Sequence, residues 1–369
     1  MRVIAKREHL LTLFKQAAKL SSVGSPIDAL QGVLLESDQT NQTFQLSSTN
    51  LETSMRLTMQ AHVETSGGCI LNSRLGVQML SLLAGEEVTL MLEKNILQLN
   101  AQQGQYRIAT LPASTYPAME LPLPADYVTI SRLPSMIRAT GFATTKDGNT
   151  SGLNLVFSEK GIKTVSADGF RIMSALGKSE KGTSIQMLVP AKSMALLSTL
   201  VTDDDQLQVG ITGKSISFVK NNFIFTARIM SGDFIDTDGI MNSCEPLFTV
   251  LSDGEYLHKS IDHVTSFADE HATLSLTFEG AQIALLCESE LGSGKNKADV
   301  IPLKGIPTGT YYYNVRHLMQ CLRAFNGNLY VSVAQGGLLL LSDETTSGML
   351  TPRRATKKTK QKKELPQAA

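Results

Sequence analysis

The sequence predicts an α+β protein made of three similar domains, each with two helices backed by antiparallel sheets. Two helical patterns each occur three times along the 369 residues, and the copies of the first lie 118 and 124 residues apart. The first pattern begins at Leu71, Val189 and Tyr313, and the second begins at His9, Leu133 and Tyr256. After every copy, apolar and polar residues alternate in short segments separated by Gly, Asn or Lys, which is typical of antiparallel meanders.

Two such half-repeats form a domain of about 120 residues, which is too long for a solenoid repeat and fits a triplicated domain. The Pro-rich segment Leu111–Asp126 and the segment Asn242–Phe248 are the expected boundaries. We therefore expect domains at residues 1–122, 123–245 and 246–352, followed by a basic, disordered tail at residues 353–369. Repeated domains that meet head to tail form a ring when the rotation between them closes.

The charge of the chain is unevenly distributed although its formal total is zero. From Arg353 to the end there are seven Lys or Arg and one Glu, so this end carries +6 and the preceding body −6. This distribution excludes a globally basic nucleic-acid binder, and any nucleic-acid contact must use a local basic surface. Only 6% of the residues are aromatic and none is Trp, which argues against an aromatic-walled pocket for a small ligand.

Cysteine spacing and hydropathy indicate the compartment. The four cysteines form no C-x-x-C pair, which is typical of free thiols in a reducing environment. The N-terminal residues carry charges where a signal peptide needs an apolar core, and no apolar run approaches the ~18 residues of a membrane span. The sequence therefore predicts a soluble cytoplasmic protein.

All six predicted helices carry basic residues although the body is acidic. Lys and Arg decorate the solvent face of any helix, but their recurrence on six related helices favours a surface that contacts DNA phosphates. The candidate DNA-facing residues are Lys15, Lys19, Arg74, Arg138, Lys192, Lys259, Arg316 and Arg323.

Several motifs stand in a fixed order on the threefold repeat. They are REHLL at Arg7, SSTNLETSM at Ser47, LPASTYP at Leu111, SADGFRIMS at Ser166, LVPAKSMALL at Leu188 and FIFTARIMSGDF at Phe223. Over about residues 1–355 the chain thereby resembles the bacterial DNA polymerase III beta subunit, or sliding clamp, family. The resemblance implies three clamp domains in a head-to-tail homodimer that encircles duplex DNA, without sequence readout, catalytic activity or cofactor. It also implies tethering of the clamp loader, DNA polymerase and repair proteins through linear peptide motifs, near the nucleoid.

The resemblance further implies a hydrophobic cleft that binds partner peptides. Carried over by position, its residues are Gly152, Leu153, Ala167, Gly169, Phe170, Arg171, Ile172, Ile235, Gly239, Ile240, Met349, Leu350, Thr351, Pro352, Arg353 and Arg354. The chain departs from the family at Phe170, where a His is usual, and at Ile235, where a Pro is usual. It also has TPRRA in place of a Met-Pro-Met-Arg-Leu-like end. These departures leave open a specialised paralogue with altered partner choice, serving a mobile element or resisting an inhibitor.

The resemblance implies a dimer interface at Tyr106 and Ile108, on an edge strand of domain one, and at Phe267 in domain three. An apolar edge strand needs to be paired or covered, which fits a sheet that continues into the second subunit. The Arg and Tyr side chains with which the family often contacts DNA are absent here. Ser25 stands where an Arg is frequent, and a Tyr pair is frequent near Ser151 and Gly152.

Other motifs do not support an enzyme or a metal site. Gly292–Lys295 resembles part of a P-loop, but Ser289 stands where the first Gly is needed and Asn296 where Ser or Thr is needed, so we interpret it as a flexible loop. Asp203–Asp205 could attract a cation, and a turn between helix and strand explains them more simply. The alternative to a non-enzymatic clamp, from another class of function, is an enzyme built on the repeated scaffold. The Lys-rich tail is a solvated appendage or an electrostatic aid that retains DNA.

Overall fold

The computed structural model describes residues 1–22, 24–159, 161–179, 185–268 and 272–354. Residues 355–369 of the predicted basic tail lie outside the described residues. The α-helices of the described ranges are α1 (Arg7–Ala18), α2 (Ser73–Leu82), α3 (Leu133–Thr140), α4 (Ala191–Ser198), α5 (Thr237–Asn242), α6 (Gly254–Thr265) and α7 (Val315–Leu322).

The strands outnumber the helices and alternate with them along the chain. In the first third they are β1 (Arg2–Lys6), β2 (Gly32–Asp38), β3 (Thr43–Thr49), β4 (Thr53–Gln60), β5 (His62–Thr65), β6 (Gly67–Asn72), β7 (Ala84–Glu93), β8 (Ile96–Gln103), β9 (Gln105–Ala109) and β10 (Leu111–Pro112). In the middle they are β11 (Val128–Ile130), β12 (Gly152–Ser158), β13 (Gly161–Ala167), β14 (Arg171–Gly177), β15 (Ile185–Pro190), β16 (Leu207–Thr212), β17 (Ser215–Lys220) and β18 (Phe223–Arg228). In the last third they are β19 (Pro246–Asp253), β20 (Thr273–Glu279), β21 (Gln282–Ser289), β22 (Gly292–Asp299), β23 (Ile301–Lys304), β24 (Thr308–Asn314), β25 (Asn328–Ala334), β26 (Leu339–Ser342) and β27 (Thr346–Leu350).

All six helices that the repeats predict are present, and they pack in three pairs: α1 with α2, α3 with α4, and α6 with α7. Local capping explains where several of them begin. Asn72, Asp253 and Asn314 each accept a hydrogen bond from the backbone N–H three residues on, at the first turns of α2, α6 and α7. The short helix α5 was not predicted from the sequence, although Asp236 caps it in the same way.

The described chain forms two compact units, of which the first comprises Met1–Ser166 and Ala175–Ile235. Its sheets have the strand orders β5-β1-β7-β8-β9, β10-β6-β2-β3-β4-β18-β17-β16-β11 and β15-β12-β13. The nine-stranded sheet runs through both of the first two predicted domains, because β18 pairs antiparallel with β4 and Phe225 lies opposite Met55. These two domains are therefore joined by continuous backbone hydrogen bonding.

A close approach of two helices marks the core of the first unit. Phe14 on α1 is fully buried and lies against Gly76 on α2, where an added Cβ would come within 2.3 Å of the Phe14 ring. Gly76 is therefore required for the two helices to pack at this distance, because a protein core leaves no room for an extra methyl group.

The second unit comprises Ala167–Ser174 and the described residues from Asp236 on. One of its sheets has the order β14-β27-β26-β25-β19-β23, beginning with the first residues of β14, and the other has the order β22-β21-β20-β24. The rings of Phe248 and Phe278 have centroids 4.9 Å apart in its core, and Tyr311 packs on both. The edge strands are β22 and β24 in the four-stranded sheet and β23 in the other sheet.

The interpretation of Gly292–Lys295 as a flexible loop is wrong. These residues begin the edge strand β22, which pairs antiparallel with β21 so that Gly294 lies opposite the buried Cys287. Gly, Ser, Asn and Lys have low strand propensity, but pairing with an apolar neighbouring strand determines the conformation of an edge strand more than its own residues do. A Cβ at Gly294 would lie 3.0 Å from the Phe267 ring, so the glycine keeps this strand close to α6.

Candidate functional site

The ADGFRI turn (Ala167–Ile172) is held by several hydrogen bonds of its own side chains. The Asp168 carboxylate accepts hydrogen bonds from the backbone N–H groups of Phe170, at 3.0 Å, and Arg171, at 2.8 Å. Gly169, between Asp168 and Phe170, has φ +83, a left-handed conformation that favours glycine. The sequence Asp-Gly thus makes a side-chain-capped turn that projects Phe170 outward.

A buried ion pair fixes this turn to α7. Asp168 Oδ2 lies 2.6 Å from Arg171 Nη2 and 2.9 Å from Arg171 Nε, a two-point contact between a carboxylate and a guanidinium. The two side chains are only 9% and 5% exposed. Arg171 Nη1 also donates to Gln320 Oε1 on α7, at 2.6 Å. Asp168 and Gln320 therefore compensate the guanidinium for the hydration that it loses on burial.

Phe170 presents an apolar surface above this ion pair. Its side chain is 58% exposed, and its ring centroid lies 5.4 Å from that of His317. Burial and, next, the Arg171 guanidinium lower the pKa of His317 below its ordinary value, so the imidazole is neutral at pH 7. The two rings form a mostly apolar aromatic platform rather than a charged one.

The C-terminal segment (Met349–Arg354) runs along one side of the platform. Met349 and Leu350 are buried at the end of β27, and the Thr351 N–H donates to the Phe170 carbonyl at 2.9 Å. On the other side of Met349 lies Cys244, whose Sγ is 3.9 Å from the Met349 Sδ. The exposed Phe170 ring is therefore the apolar group of this region that a peptide side chain could contact.

Most of the predicted cleft residues lie in the second unit. The residues that it contains are Ala167, Gly169, Phe170, Arg171, Ile172, Gly239, Ile240, Met349, Leu350, Thr351, Pro352, Arg353 and Arg354. In the first unit, Leu153 is fully buried, a Cβ at Gly152 would lie 2.7 Å from Met230 Sδ, and Ile235 is exposed. Sequence reasoning missed Asp168, His317 and Gln320. Of these, only Asp168, directly before the glycine of the turn, carried a local signal.

All eight predicted DNA-facing residues are exposed at or next to helices. Arg138 and Lys259 are already paired with acidic groups. Arg138 Nη2 lies 2.7 Å from Asp203 Oδ2, and Lys259 Nζ lies 2.7 Å from Glu255 Oε1. Asp203 also accepts a hydrogen bond from the Ser135 N–H at the start of α3. Its carboxylate therefore has structural partners, which agrees with the interpretation of Asp203–Asp205 as a turn rather than a cation site.

The predicted interface residues lie at sheet edges. Tyr106 and Ile108 are on β9, the last strand of its sheet, opposite the buried Leu99 and Leu97 of β8. Both side chains therefore point to the core side of the edge strand. In the second unit, Phe267 follows α6 and lies next to the edge strand β22.

Within the described ranges, no group of three or more His, Cys, Asp and Glu side chains could hold a metal ion. Over the same ranges, no helix is both long and apolar enough to cross a membrane. The four cysteines are free, and burial raises the pKa of Cys69 to about 11 and that of Cys321 to about 12. These two thiols are therefore protonated and unreactive at neutral pH.

Comparison with known proteins identifies the fold and the family. The N-terminal domain of the DNA polymerase III beta subunit matches residues 1–120, and its central domain matches residues 128–236. The beta sliding clamp of Micrococcus luteus is 23% identical over 77% of this chain and 94% of its own length. That of Synechococcus elongatus is 25% identical over 88% and 90%. The crystal structure of a sliding clamp from Pseudomonas aeruginosa bound to griselimycin has a TM-score of 0.88 at 18% identity, covering 96% of this chain and 100% of that chain.

The chain belongs to the DNA polymerase III beta subunit family, the DNA sliding clamps of bacterial replication. Its function is that of a sliding clamp, a processivity factor that works with DNA and DNA polymerase and is not itself an enzyme. The predicted family, the α+β fold class, the function and the non-enzymatic character are confirmed.

Proposed function

We propose that two copies of this chain close head to tail around duplex DNA and hold partner proteins through a peptide-binding cleft at the ADGFRI turn. Each copy contributes three clamp domains, at residues 1–122, 123–245 and 246–352, and the ring works in the cytoplasm at the nucleoid. The observation that carries the cleft is the exposed Phe170 platform, held by a buried ion pair. The specialised-paralogue alternative stays a hypothesis, because nothing in the similarities to known clamps favours it.

The junction inside the first unit supplies a template for the junction between copies. There β18, the third strand after α4, pairs with β4, the third strand after α1. The equivalent strands are β9, the third after α2, and β22, the third after α6, and each ends its sheet. We infer that β9 of one copy pairs antiparallel with β22 of the other.

In the β18–β4 pair, Phe225 lies opposite Met55. If β9 and β22 pair in the same register, Tyr106 lies opposite Gly294 of the second copy. Gly294 has no side chain on the core side of β22, where a Cβ would lie 2.7 Å from the Val264 carbonyl oxygen and 3.0 Å from the Phe267 ring. In this register the Tyr106 ring of one copy would lie across from Gly294 and close to the Phe267 ring of the other, which supports the three interface residues that the family resemblance implies.

We propose that the exposed basic residues of the six paired helices face DNA and contact phosphates. Replacing Arg316 and Arg323 together by Ala should shorten the retention of the loaded clamp on nicked circular DNA at physiological salt. If each arginine neutralises one phosphate, the slope of log affinity against log salt should become shallower by about 1.8 per chain. Retention half-times across a salt titration measure both effects.

Lys214→Ala is the matched control, because Lys214 is exposed in a turn between β16 and β17 rather than on a helix. Linearising the circle should release the wild-type and variant clamps alike, since a ring that encircles DNA slides off a free end whether or not it has these phosphate contacts. An unchanged salt slope in the double variant would rule out phosphate contacts by these arginines. Survival of either clamp on linear DNA with free ends would contradict encirclement.

The cleft is tested at Phe170. Phe170→Asp should weaken binding of a synthetic peptide with a Leu-Phe anchor by about 30-fold, because an exposed aromatic group at the centre of a small interface is typically worth about 2 kcal/mol. Fluorescence anisotropy with a labelled peptide measures the dissociation constant. Leu303→Asp, which changes an exposed apolar side chain on β23 of the same unit, should leave the affinity unchanged. Equal binding by Phe170→Asp would place the peptide site elsewhere.

A further inference from the structure

A basic groove begins where the C-terminal segment leaves the Phe170 platform. The Thr351 N–H is bonded to the Phe170 carbonyl, and two residues later the Arg353 N–H donates to the Tyr312 carbonyl at 2.7 Å. The segment is thus held at both ends and continues along the β24 edge. Arg353 and Arg354 are both exposed at its end, and Arg353 Nη1 also donates to Thr273 Oγ1 at 3.2 Å.

The groove has a volume of about 440 Å³. Its uncharged lining includes Thr310, Tyr311 and Tyr312 of β24 and also Gly336 and Gly337. Pro352, Arg353 and Arg354 complete the lining, so the charged side chains among the lining residues are both arginines. Hydroxyl groups, backbone groups and two guanidinium groups suit a polar, negatively charged occupant more than an apolar one.

The electrostatic surroundings of the platform point the same way. After burial, Arg171 lowers the pKa of His317 most, Asp168 raises it, and Arg353 and Arg316 lower it by smaller amounts. Asp168 is already engaged with Arg171 in the buried ion pair. The apolar platform therefore lies in a region of positive potential, although the body of the chain is acidic.

We propose that the partners of this clamp are short peptides with an apolar anchor on Phe170 and one or more carboxylates close to that anchor, which Arg353 and Arg354 bind in the groove. The inference rests on the proposed peptide cleft and names the class of peptide that it takes. Three residue steps separate Thr351 from Arg354, which is about 10 Å of extended chain. A peptide that follows the segment therefore places its carboxylate two to four residues from the anchor.

The test uses two synthetic ten-residue peptides with the same Leu-Phe anchor, one with Asp at positions two to four residues from it and one with Asn there. The acidic peptide should bind the full-length wild-type clamp about fivefold more tightly at low salt, and the ratio should shrink as salt rises. In Arg353→Gln with Arg354→Gln the ratio should fall to about one. Lys214→Gln with Lys304→Gln removes two exposed cations elsewhere and should keep the ratio.

The outcomes separate this inference from the proposed cleft. If both peptides bind wild type equally, or if the arginine variant keeps the wild-type ratio, the inference fails and the cleft stands. If neither peptide binds, the proposed cleft fails and the inference falls with it. A third peptide with its Asp residues seven positions away should bind like the Asn peptide, and tight binding by it would overturn the placement. Displacement of the acidic peptide by a short single-stranded oligonucleotide, with no preference for Asp over Asn, would assign the groove to nucleic acid instead.

Discussion

Asp168→Ala should lower the free energy of unfolding by about 3–5 kcal/mol, because it leaves the Arg171 guanidinium buried without its counter-charge. The substitution also removes the acceptor of two backbone N–H groups in the ADGFRI turn, so the turn should loosen as well. Chemical denaturation followed by circular dichroism measures the loss, and binding of the Leu-Phe peptide should weaken in parallel as Phe170 loses its fixed position.

The matched control is Glu255→Ala in the same unit. It breaks a Glu255–Lys259 pair of similar length, 2.7 Å, but both side chains are about two-thirds exposed. An exposed pair of this spacing is worth about 0.3–0.5 kcal/mol, so the control should be almost neutral. Replacing both buried partners, in Asp168→Ala with Arg171→Met, should recover part of the stability lost by the single change. A loss below about 1 kcal/mol for Asp168→Ala would mean that water reaches the guanidinium freely.

Tyr106→Asp should raise the dissociation constant of the dimer by about 100-fold or more. In the proposed register it places a carboxylate against Gly294 and the Phe267 ring of the second copy, where a central aromatic contact of about 2–4 kcal/mol is lost and a charge is desolvated. Sedimentation equilibrium or mass photometry over a dilution series measures the shift from dimer to monomer. Loaded onto nicked circular DNA, the variant should also dissociate faster.

Tyr330→Asp is the control for this change. Tyr330 is also a tyrosine on a strand, but its strand, β25, lies between β26 and β19 and is not an edge strand. The control should remain dimeric at concentrations where Tyr106→Asp is monomeric, and both should keep the circular dichroism spectrum of wild type. A folded Tyr106→Asp with wild-type dimer affinity would show that β9 is not the joining edge.

The helices were predictable because their signals are local. The apolar spacing is repeated three times, and Asn72, Asp253 and Asn314 stand where a capping side chain is needed. The strand β22 was not predictable in the same way, because Gly-Ser-Gly-Lys-Asn-Lys has no apolar alternation and takes its conformation from β21. Tertiary pairing overrode local propensity there.

In the candidate site, too, the features with local signals could be predicted from the sequence and the long-range contacts could not. The turn could be predicted from Gly169 and from its place within a family motif. The contact that fixes it, from Arg171 to Gln320, could not be predicted, because the two residues are 149 apart in sequence. The exposure of the basic residues followed from the helix period. That Lys259 is paired with Glu255 could also be read from the four-residue spacing, but the pairing of Arg138 with Asp203, 65 residues apart, could not.

The β4–β18 junction has a consequence for how a ring of this chain would open. Its two strands belong to one polypeptide, so a break there would be followed by rapid re-pairing at a high effective concentration. The proposed junction between copies would have no covalent link, and at core-side positions it would carry Gly294 and Asn296 where β4 carries Met55 and Leu57. Less apolar area would be buried there, so in the proposed ring the seams between copies would be the weakest points. A closed clamp would therefore open for DNA entry at those seams and leave the junction inside each chain intact.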